Sequence, residues 1–311
     1  DALGFHIPGM WSKILDLKEC FLQEEPSNEI RLAVRDYAIK NGLDFYDVRN
    51  QEGFLRTLML RQNSKGEWMV LFQLYREEKE NRENLFNFVL EKFPQVKTLV
   101  YAINPKGNDS IYDLDIQNYY GEGFLMEEMD GLQFKIGPKS FFQTNYKQAL
   151  ELYRKTIEFA EISENDVVYD LYTGTGTIAQ YIAKKAKYVI GIESVQEAID
   201  AAIEHAKLNG LENCEFHCGD MKDVFTEEFL ANHPKADVLI TDPPRDGMHQ
   251  KVVEQILKLS PPKIVYVSCN SATQARDLAL MKEHYNVVKI LPVDMFPQTH
   301  HVENIALLVK K

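Results

Sequence analysis

Short apolar runs alternate with amphipathic stretches through the second half of the chain. The runs are VVYDL (167–171), YVIGI (188–192), CEFHC (214–218), DVLIT (237–241) and KIVYV (263–267). Between them, helical spacing marks Ile178 to Lys185, Val195 to Asn209 and Gln250 to Leu259, and a further helix is predicted earlier, from Asn145 to Phe159. Strand, helix, strand repeated in this way predicts a parallel sheet covered on both faces. The chain closes with apolar runs at Asn286 to Pro292 and Ile305 to Lys311, joined by a loop too short for a parallel crossover. One of the two is therefore expected to be antiparallel.

The front part reads as α+β. A helix is predicted from Pro26 to Lys40, with Pro at its start and Asn41-Gly42 as its stop. Phe54 to Arg61 and Glu67 to Leu74 read as a hairpin around Asn63-Ser64-Lys65-Gly66. A helix from Arg82 to Phe93 ends at Pro94, and strand-like pieces follow at Val96 to Asn104, Gly123 to Glu128 and Leu132 to Ile136. Placing the boundary at Gly137-Pro138 divides the chain into a smaller α+β domain (1–137) and an α/β domain (138–311).

Composition narrows the class. Hydrophobic residues at 45% and charged residues at 26% are ordinary for a water-soluble domain. No apolar stretch reaches membrane-span length, and no signal peptide is visible. The opening DALGFHIPGMW lacks an initiator methionine, so the chain reads as part of something longer. Cys20, Cys214, Cys218 and Cys269 form no C-x-x-C pair, which predicts free thiols and a reducing, cytoplasmic compartment. Net charge is −12: residues 1–130 hold 15 Lys/Arg against 23 Asp/Glu, and the remainder 20 against 24. Such an acidic chain is a poor general polyanion binder, which alone argues against nucleic acid.

The strand ends carry the candidate chemistry. VVYDL runs into Tyr172-Thr173-Gly174-Thr175-Gly176 before a helix. Two glycines permit a tight turn close to a ligand, but the third glycine of the dinucleotide fingerprint is missing. Glu193 ends the second strand, where an acid accepts hydrogen bonds from ribose hydroxyls, and Asp220 follows the third, placed to meet an adenine edge. Each alone could be a turn or a solvated acid. Together they point to a nucleoside-type site, best matched by S-adenosylmethionine.

The fourth strand ends in TDPPRDGMH. Asp242 closes it, and a D-P-P there resembles methyltransferases acting on planar groups; Arg245, where an aromatic would mark amino-group methylases, argues against an exocyclic amine. The fifth ends in Ser268-Cys269-Asn270. Cys269 has two roles open to it, gap filler or nucleophile. Glu303, opening the last strand after His300-His301, is a candidate general base or a salt-bridged loop acid. Thiol, base and methyl donor together serve one chemistry. C5 of uracil becomes nucleophilic once a thiolate adds at C6, and a base must then remove the C5 proton.

FFQTN (141–145), DLYTGTG (170–176), TDPPR (241–245), VSCN (267–270) and VDMFPQTHHVE (293–303) together resemble the RNA uracil-5 methyltransferase family, whose members make 5-methyluridine in 23S ribosomal RNA or transfer RNA. GFHIPG and DLKECFLQ in the front third match more loosely. The resemblance implies a Rossmann-like S-adenosylmethionine-dependent methyltransferase domain, with Cys269 as nucleophile and Glu303 as base. It implies Gln143, Tyr172, Gly174, Thr177, Glu193, Asp220 and Asp242 as cofactor-contacting positions. It implies RNA as partner, most of all 23S rRNA with tRNA as alternative, and a monomer without a membrane. Asp246 stands where a small or basic residue is expected. Cys20 resembles the fourth ligand of a [4Fe-4S] cluster whose other ligands would lie upstream, as would an oligonucleotide-binding barrel carrying the basic RNA grip. Cys214 and Cys218 read as packing in a core strand. Arg49, Arg56 and Arg61 are candidates for phosphate contacts. The target base must be extruded to reach a strand-end thiol, and Phe141, Phe142, Phe296 and His300 are candidate wedges. Rival classes are a cytosine-5 methyltransferase, which usually presents a Pro-Cys pair lacking here, and a non-catalytic cofactor-binding RNA module.

Overall fold

The computed structural model describes residues 2–311. They form two compact units. The first runs up to Glu127 and resumes over Lys135–Thr144; the second comprises Glu128–Phe134 and Asn145–Lys311. Relative to one cut after residue 137, the segment 128–134 counts with the second unit and 138–144 with the first.

The first unit opens with a hairpin of β1 (Phe5–Ile7) and β2 (Met10–Leu15). Helix α1 (Ser27–Asn41) stops at Gly42, whose φ of 67° turns its N–H back toward the carbonyls of Ala38 and Ile39. β3 (Leu55–Gln62) and β4 (Trp68–Leu74) are antiparallel, as the turn residues predict. Asn63 shapes that turn by accepting from the N–H groups of Lys65 and Glu67. α2 (Lys79–Lys92) crosses to β5 (Val96–Ile103), parallel to β4, and β6 (Gln117–Tyr120) adds an antiparallel edge. β4 is buried along its whole length. The core beneath α1 and α2 joins Ile30, Val34, Phe72, Leu85, Phe86 and Leu99. β7 (Leu125–Met129) and β8 (Leu132–Ile136) form a separate two-stranded hairpin through Asp130-Gly131, both at positive φ.

The second unit begins with α3 (Tyr146–Ala160), capped by the Asn145 side chain on Gln148 N–H. Then follow β9 (Val167–Leu171), α4 (Thr177–Ala183), β10 (Tyr188–Glu193), α5 (Gln196–Leu208), β11 (Cys214–Cys218), α6 (Met221–Val224) and α7 (Glu227–Asn232). The chain continues with β12 (Val238–Thr241), α8 (Gln250–Leu259), β13 (Lys263–Ser268), α9 (Ser271–Met281), β14 (Tyr285–Val293) and β15 (Glu303–Lys310). The sheet order is β11-β10-β9-β12-β13-β15-β14. The first five strands are parallel, and β15 is the expected antiparallel one, set against both neighbours. This is a Rossmann-like, doubly wound sheet whose order reverses between β9 and β12, where such sheets open a crevice at the carboxyl ends. Tyr169, Leu171, Ile190, Leu239 and Tyr266 lie in its core, fully buried.

Two sequence expectations change. β11 is an edge strand, not a core strand: Cys218 is exposed and Cys214 only half-buried. Three small strands (β1, β2, β6) and the helices α6, α7 and α9 carry too little periodic apolar signal to be read from sequence alone.

Candidate active site

Strand register lines up the predicted residues. Leu171 pairs with Ile192 on one side and Thr241 on the other, and Thr241 pairs with Tyr266. The next residue along each of β9, β10 and β12 is therefore Tyr172, Glu193 and Asp242, one row across the carboxyl edge. Asp220 lies two residues past β11, and Cys269 one past β13. β13 and β15 pair antiparallel from Lys263↔Val309 to Ser268↔Asn304, so one further step sets Cys269 opposite Glu303. Along the rim the order is Asp220, Glu193, Tyr172, Asp242, Cys269, Glu303.

The first half of that rim is built around a bent turn. Tyr172 (φ 63°), Gly174 (φ 55°) and Gly176 (φ 76°) all take left-handed backbone. At Gly176 a Cβ would sit 2.9 Å from Ala202 Cβ, so only glycine lets α5 pack there. At Gly174 a Cβ would meet nothing within 4 Å, which leaves open space above the turn for a ligand. Asp170 holds the turn from below, accepting from Thr173 Oγ1 at 2.6 Å. Burial, with Glu193 adding to it, pushes its carboxyl up to about 7. Glu193 Oε2 accepts from Gly174 N–H at 3.1 Å, and Oε1 accepts from the N–H groups of Ser194 and Val195. Asp220 caps α6 and pairs with Lys222, which holds its carboxyl below the usual range. Burial raises the Tyr172 phenol far above its ordinary value, with Asp220 and Glu193 acting the same way, so Tyr172 stays neutral beside both acids.

The second half gathers a thiol, two carboxyls and a guanidinium. Burial raises the Cys269 thiol, and the negative charges of Glu303 and Asp242 raise it further. Arg245 opposes them by hydrogen bonding to the thiol. Glu303 is raised by burial, which Arg245 again counters, and Asp242 is raised well above the carboxylate range by burial and by Glu303. This mutual influence, with the strand register, puts the four groups near one another on the rim. Ser268 and Asn270 clamp the thiol's backbone from both sides: Ser268 Oγ bonds to Asn270 O at 3.0 Å and accepts from Asn270 N–H at 3.1 Å. Asn270 also caps α9 and donates to Arg245 O. Thr273 Oγ1 donates to the same carbonyl, and Arg276 donates to Asp246 O. Helix α9 thus pins the DPPRDGMH loop over the thiol. Arg245 also lies 3.4 Å from His301 Nδ1, tying that loop to the one that leads into Glu303.

Sequence reasoning left Arg245 and Tyr153 without a role. Arg245 entered only as an argument about substrate, although a cation one motif away from a thiol was a usable signal. Tyr153, buried on α3, feels both Asp242 and Glu303 and remains neutral; no pattern in the sequence marks it. Asp246, unexplained in sequence, faces Arg276.

The remaining candidates fall elsewhere. Thr177 opens α4 with its side chain buried, its Oγ1 3.5 Å from that of Thr175. Gln143 is half-buried in the segment Lys135–Thr144 of the first unit. There, Phe142 packs on a cluster with Met69, Leu71 and Val100, whereas Phe141 is 73% exposed. Phe296 is half-buried and His300 exposed in the loop before Glu303. The three arginines named as candidates for phosphate contacts each have a partner within the first unit. Arg56 donates to the carbonyls of Asn104, Lys106 and Asn108 and stacks on Tyr46. Arg61 is largely buried and bonds to Pro138 O, and Arg49 bonds to Ser12 Oγ. Cys20 bonds through its backbone to Asn28 and is the first unit's one cysteine, so the described residues do not assemble a four-thiolate cluster.

Comparison with known proteins agrees with this geometry. The family profile described as tRNA (uracil-5-)-methyltransferase matches residues 110–311. An uncharacterized RNA methyltransferase of Porphyromonas gingivalis is 54% identical over 99% of this chain and 67% of its own length, and one of Bacteroides thetaiotaomicron is 51% identical over 99% and 68%. Among solved structures, the Pyrococcus abyssi tRNA (uracil-54, C5)-methyltransferase in complex with S-adenosyl-L-homocysteine superposes with a TM-score of 0.80 at 32% identity, covering 96% of this chain and 71% of that one. The rim of strand ends, the thiol facing a carboxyl, and these matches agree: the chain belongs to the tRNA (uracil-5-)-methyltransferase family, and it is an RNA methyltransferase.

Proposed function

We propose that this chain transfers a methyl group from S-adenosylmethionine to C5 of a uridine in structured RNA. The observation that carries the reading is the register-matched pair Cys269 and Glu303 beside Asp242 and Arg245. Glu193 and the open turn at Gly174 are suited to the ribose, Asp220 to the adenine edge, and Tyr172 and Asp242 to the methyl-bearing end, with Thr177 as a further contact. The homocysteine form of the donor in the Pyrococcus abyssi structure supports that choice. The sulfonium supplies an activated methyl group; the chain's own residues do the rest.

Cys269 gives up its proton to solvent, and the thiolate sulfur bonds to C6 of an extruded uracil, shifting the C5=C6 electron pair to C4–C5 and the carbonyl pair onto O4. C5 then takes the methyl group, breaking the donor's S–CH3 bond. Glu303 removes the C5 proton, C5=C6 reforms, and the C6–S bond breaks to return the thiolate. Burial makes Glu303 a stronger base than a free glutamate. Arg245 stabilises the thiolate that its neighbours disfavour.

The sequence resemblance puts 23S ribosomal RNA first as substrate, and the likeness to the Pyrococcus abyssi enzyme supports transfer RNA as the second. Cytoplasmic location and a monomeric state belong to the same proposal. The test is labelled methyl transfer to each RNA with mapping of the product. Cys269→Ala abolishes turnover while calorimetric binding of S-adenosylmethionine persists; lost cofactor binding in that variant contradicts the role, and cofactor binding without turnover in the unaltered protein supports the non-catalytic module instead.

A further inference from the structure

We infer that Glu215, His217 and His233 form a binding site for one divalent transition-metal ion, zinc first, on the outer edge of the second unit's sheet. Glu215 and His217 are two apart on β11, so both project to the same face. His233 follows α7 directly. Glu215 Oε1 lies 3.0 Å from His217 Nε2 and 3.7 Å from His233 Nε2, and one ligand atom from each residue falls within 4.8 Å of the others. Metal–ligand bonds of about 2.0–2.2 Å in a tetrahedron separate ligand atoms by roughly 3.4 Å. The trio therefore needs only a small rearrangement to close on an ion, the 3.0 Å pair opening slightly and the wider ones closing, and two histidines with one carboxylate are a zinc donor set that keeps a fourth position open.

The surroundings orient each donor as a metal would require. His233 Nδ1 lies 2.7 Å from Phe229 O, so that nitrogen carries the hydrogen and Nε2 presents its lone pair. Tyr188 OH donates to Glu215 Oε2 at 2.7 Å, which leaves Oε1 for the ion. The His233 ring stacks on Phe229 at 4.0 Å, and His217 meets both rings edge-on, which fixes the ring planes. His217 Nε2 is shielded from solvent and, despite the nearby carboxylate, is not aligned for a hydrogen bond. An ion pair alone leaves that atom unsatisfied; a metal satisfies it. The ion would staple the α7 end to β11, three residues before Asp220, and so steady the cofactor-side rim. This inference does not depend on the methyl-transfer reading.

The test uses the whole chain, stripped with a chelator and with its thiols alkylated. Calorimetric titration with Zn2+ is expected to show one equivalent bound, and Co2+ to give tetrahedral d–d absorption. Tyr188→Phe weakens binding by about 10–100-fold. His233→Ala, in a loop and thus least able to disturb folding, removes stoichiometric binding and the cobalt bands, and a zinc-dependent rise in the melting midpoint disappears with them. Binding that persists in His233→Ala, or less than half an equivalent in the unaltered protein, overturns the site.

Discussion

Cys269 sits among groups of opposing effect. Its thiol is raised by burial and by the acids on either side, and Arg245 is the one group that lowers it. Removing that cation must therefore raise the thiol further. In Arg245→Ala the pH–rate profile moves to higher pH, and turnover near neutrality falls about tenfold for each unit the thiol rises. Because Glu303 is raised as well, the unaltered enzyme gains activity with pH through both groups, never losing it across the neutral range. A profile unmoved by Arg245→Ala, measured under single-turnover conditions, contradicts this.

Asp170 gives a stability test at the same scale. Its carboxyl stands at about 7 in the fold against 3.8 in the free residue. Between those values the folded protein binds the extra proton, so stability falls as pH rises from about 4 to about 7. Asp170→Asn lacks that dependence. The denaturation midpoint of the unaltered protein, relative to this variant, is expected to decline across that window; a constant difference would refute the assignment.

At the level of elements, β13 and β15 bring a thiol and a carboxyl together from positions 34 residues apart, and the loop after β12 is held over them by α9. Gly247 is the tightest point of that loop. Its φ is 75°, and a Cβ there would lie 2.6 Å from Arg276 Nη2 and 2.7 Å from Asp277 Oδ2. Asp277 is fully buried and also accepts from Met248 N–H and Tyr266 OH, so it cannot yield freely. Gly247→Ala is expected to cost about 1–3 kcal/mol of stability and to lower kcat, with S-adenosylmethionine affinity nearly unchanged because the Gly174 turn lies across the rim. Calorimetry and single-turnover rates separate the two effects. The strands and the residues at their ends were legible because each is a short apolar run ending in a polar residue. The service of α9 was not: its hold on the loop rests on Asn270, Thr273 and Arg276, polar residues whose partners only the register reveals. The same holds for Arg245, whose meaning depends on β12 lying beside β13.

For the whole molecule, the sheet order places the cofactor candidates Tyr172, Gly174, Thr177, Glu193 and Asp220 on the β9-β10-β11 side of the reversal, and Asp242 with the reactive groups on the β12-β13-β15 side. Donor binding is therefore expected to slow amide exchange at Gly174, Ser194 and Val195, with little change in β4 or β5 of the first unit; equal protection of both units would oppose the assignment. The overall negative charge, read alone, pointed away from nucleic acid. Motifs at the strand ends outweighed it, since bulk charge reports on average fields, whereas the site depends on a few placed side chains. The central claim is that sulfur and carboxyl meet on one pyrimidine. It is tested most directly by mass spectrometry of the protein mixed with donor and 5-fluorouridine RNA, where fluorine at C5 blocks proton removal. A methylated covalent adduct on the Cys269 peptide is predicted, absent in Cys269→Ala; no adduct, or one on Cys214 or Cys218, would contradict it.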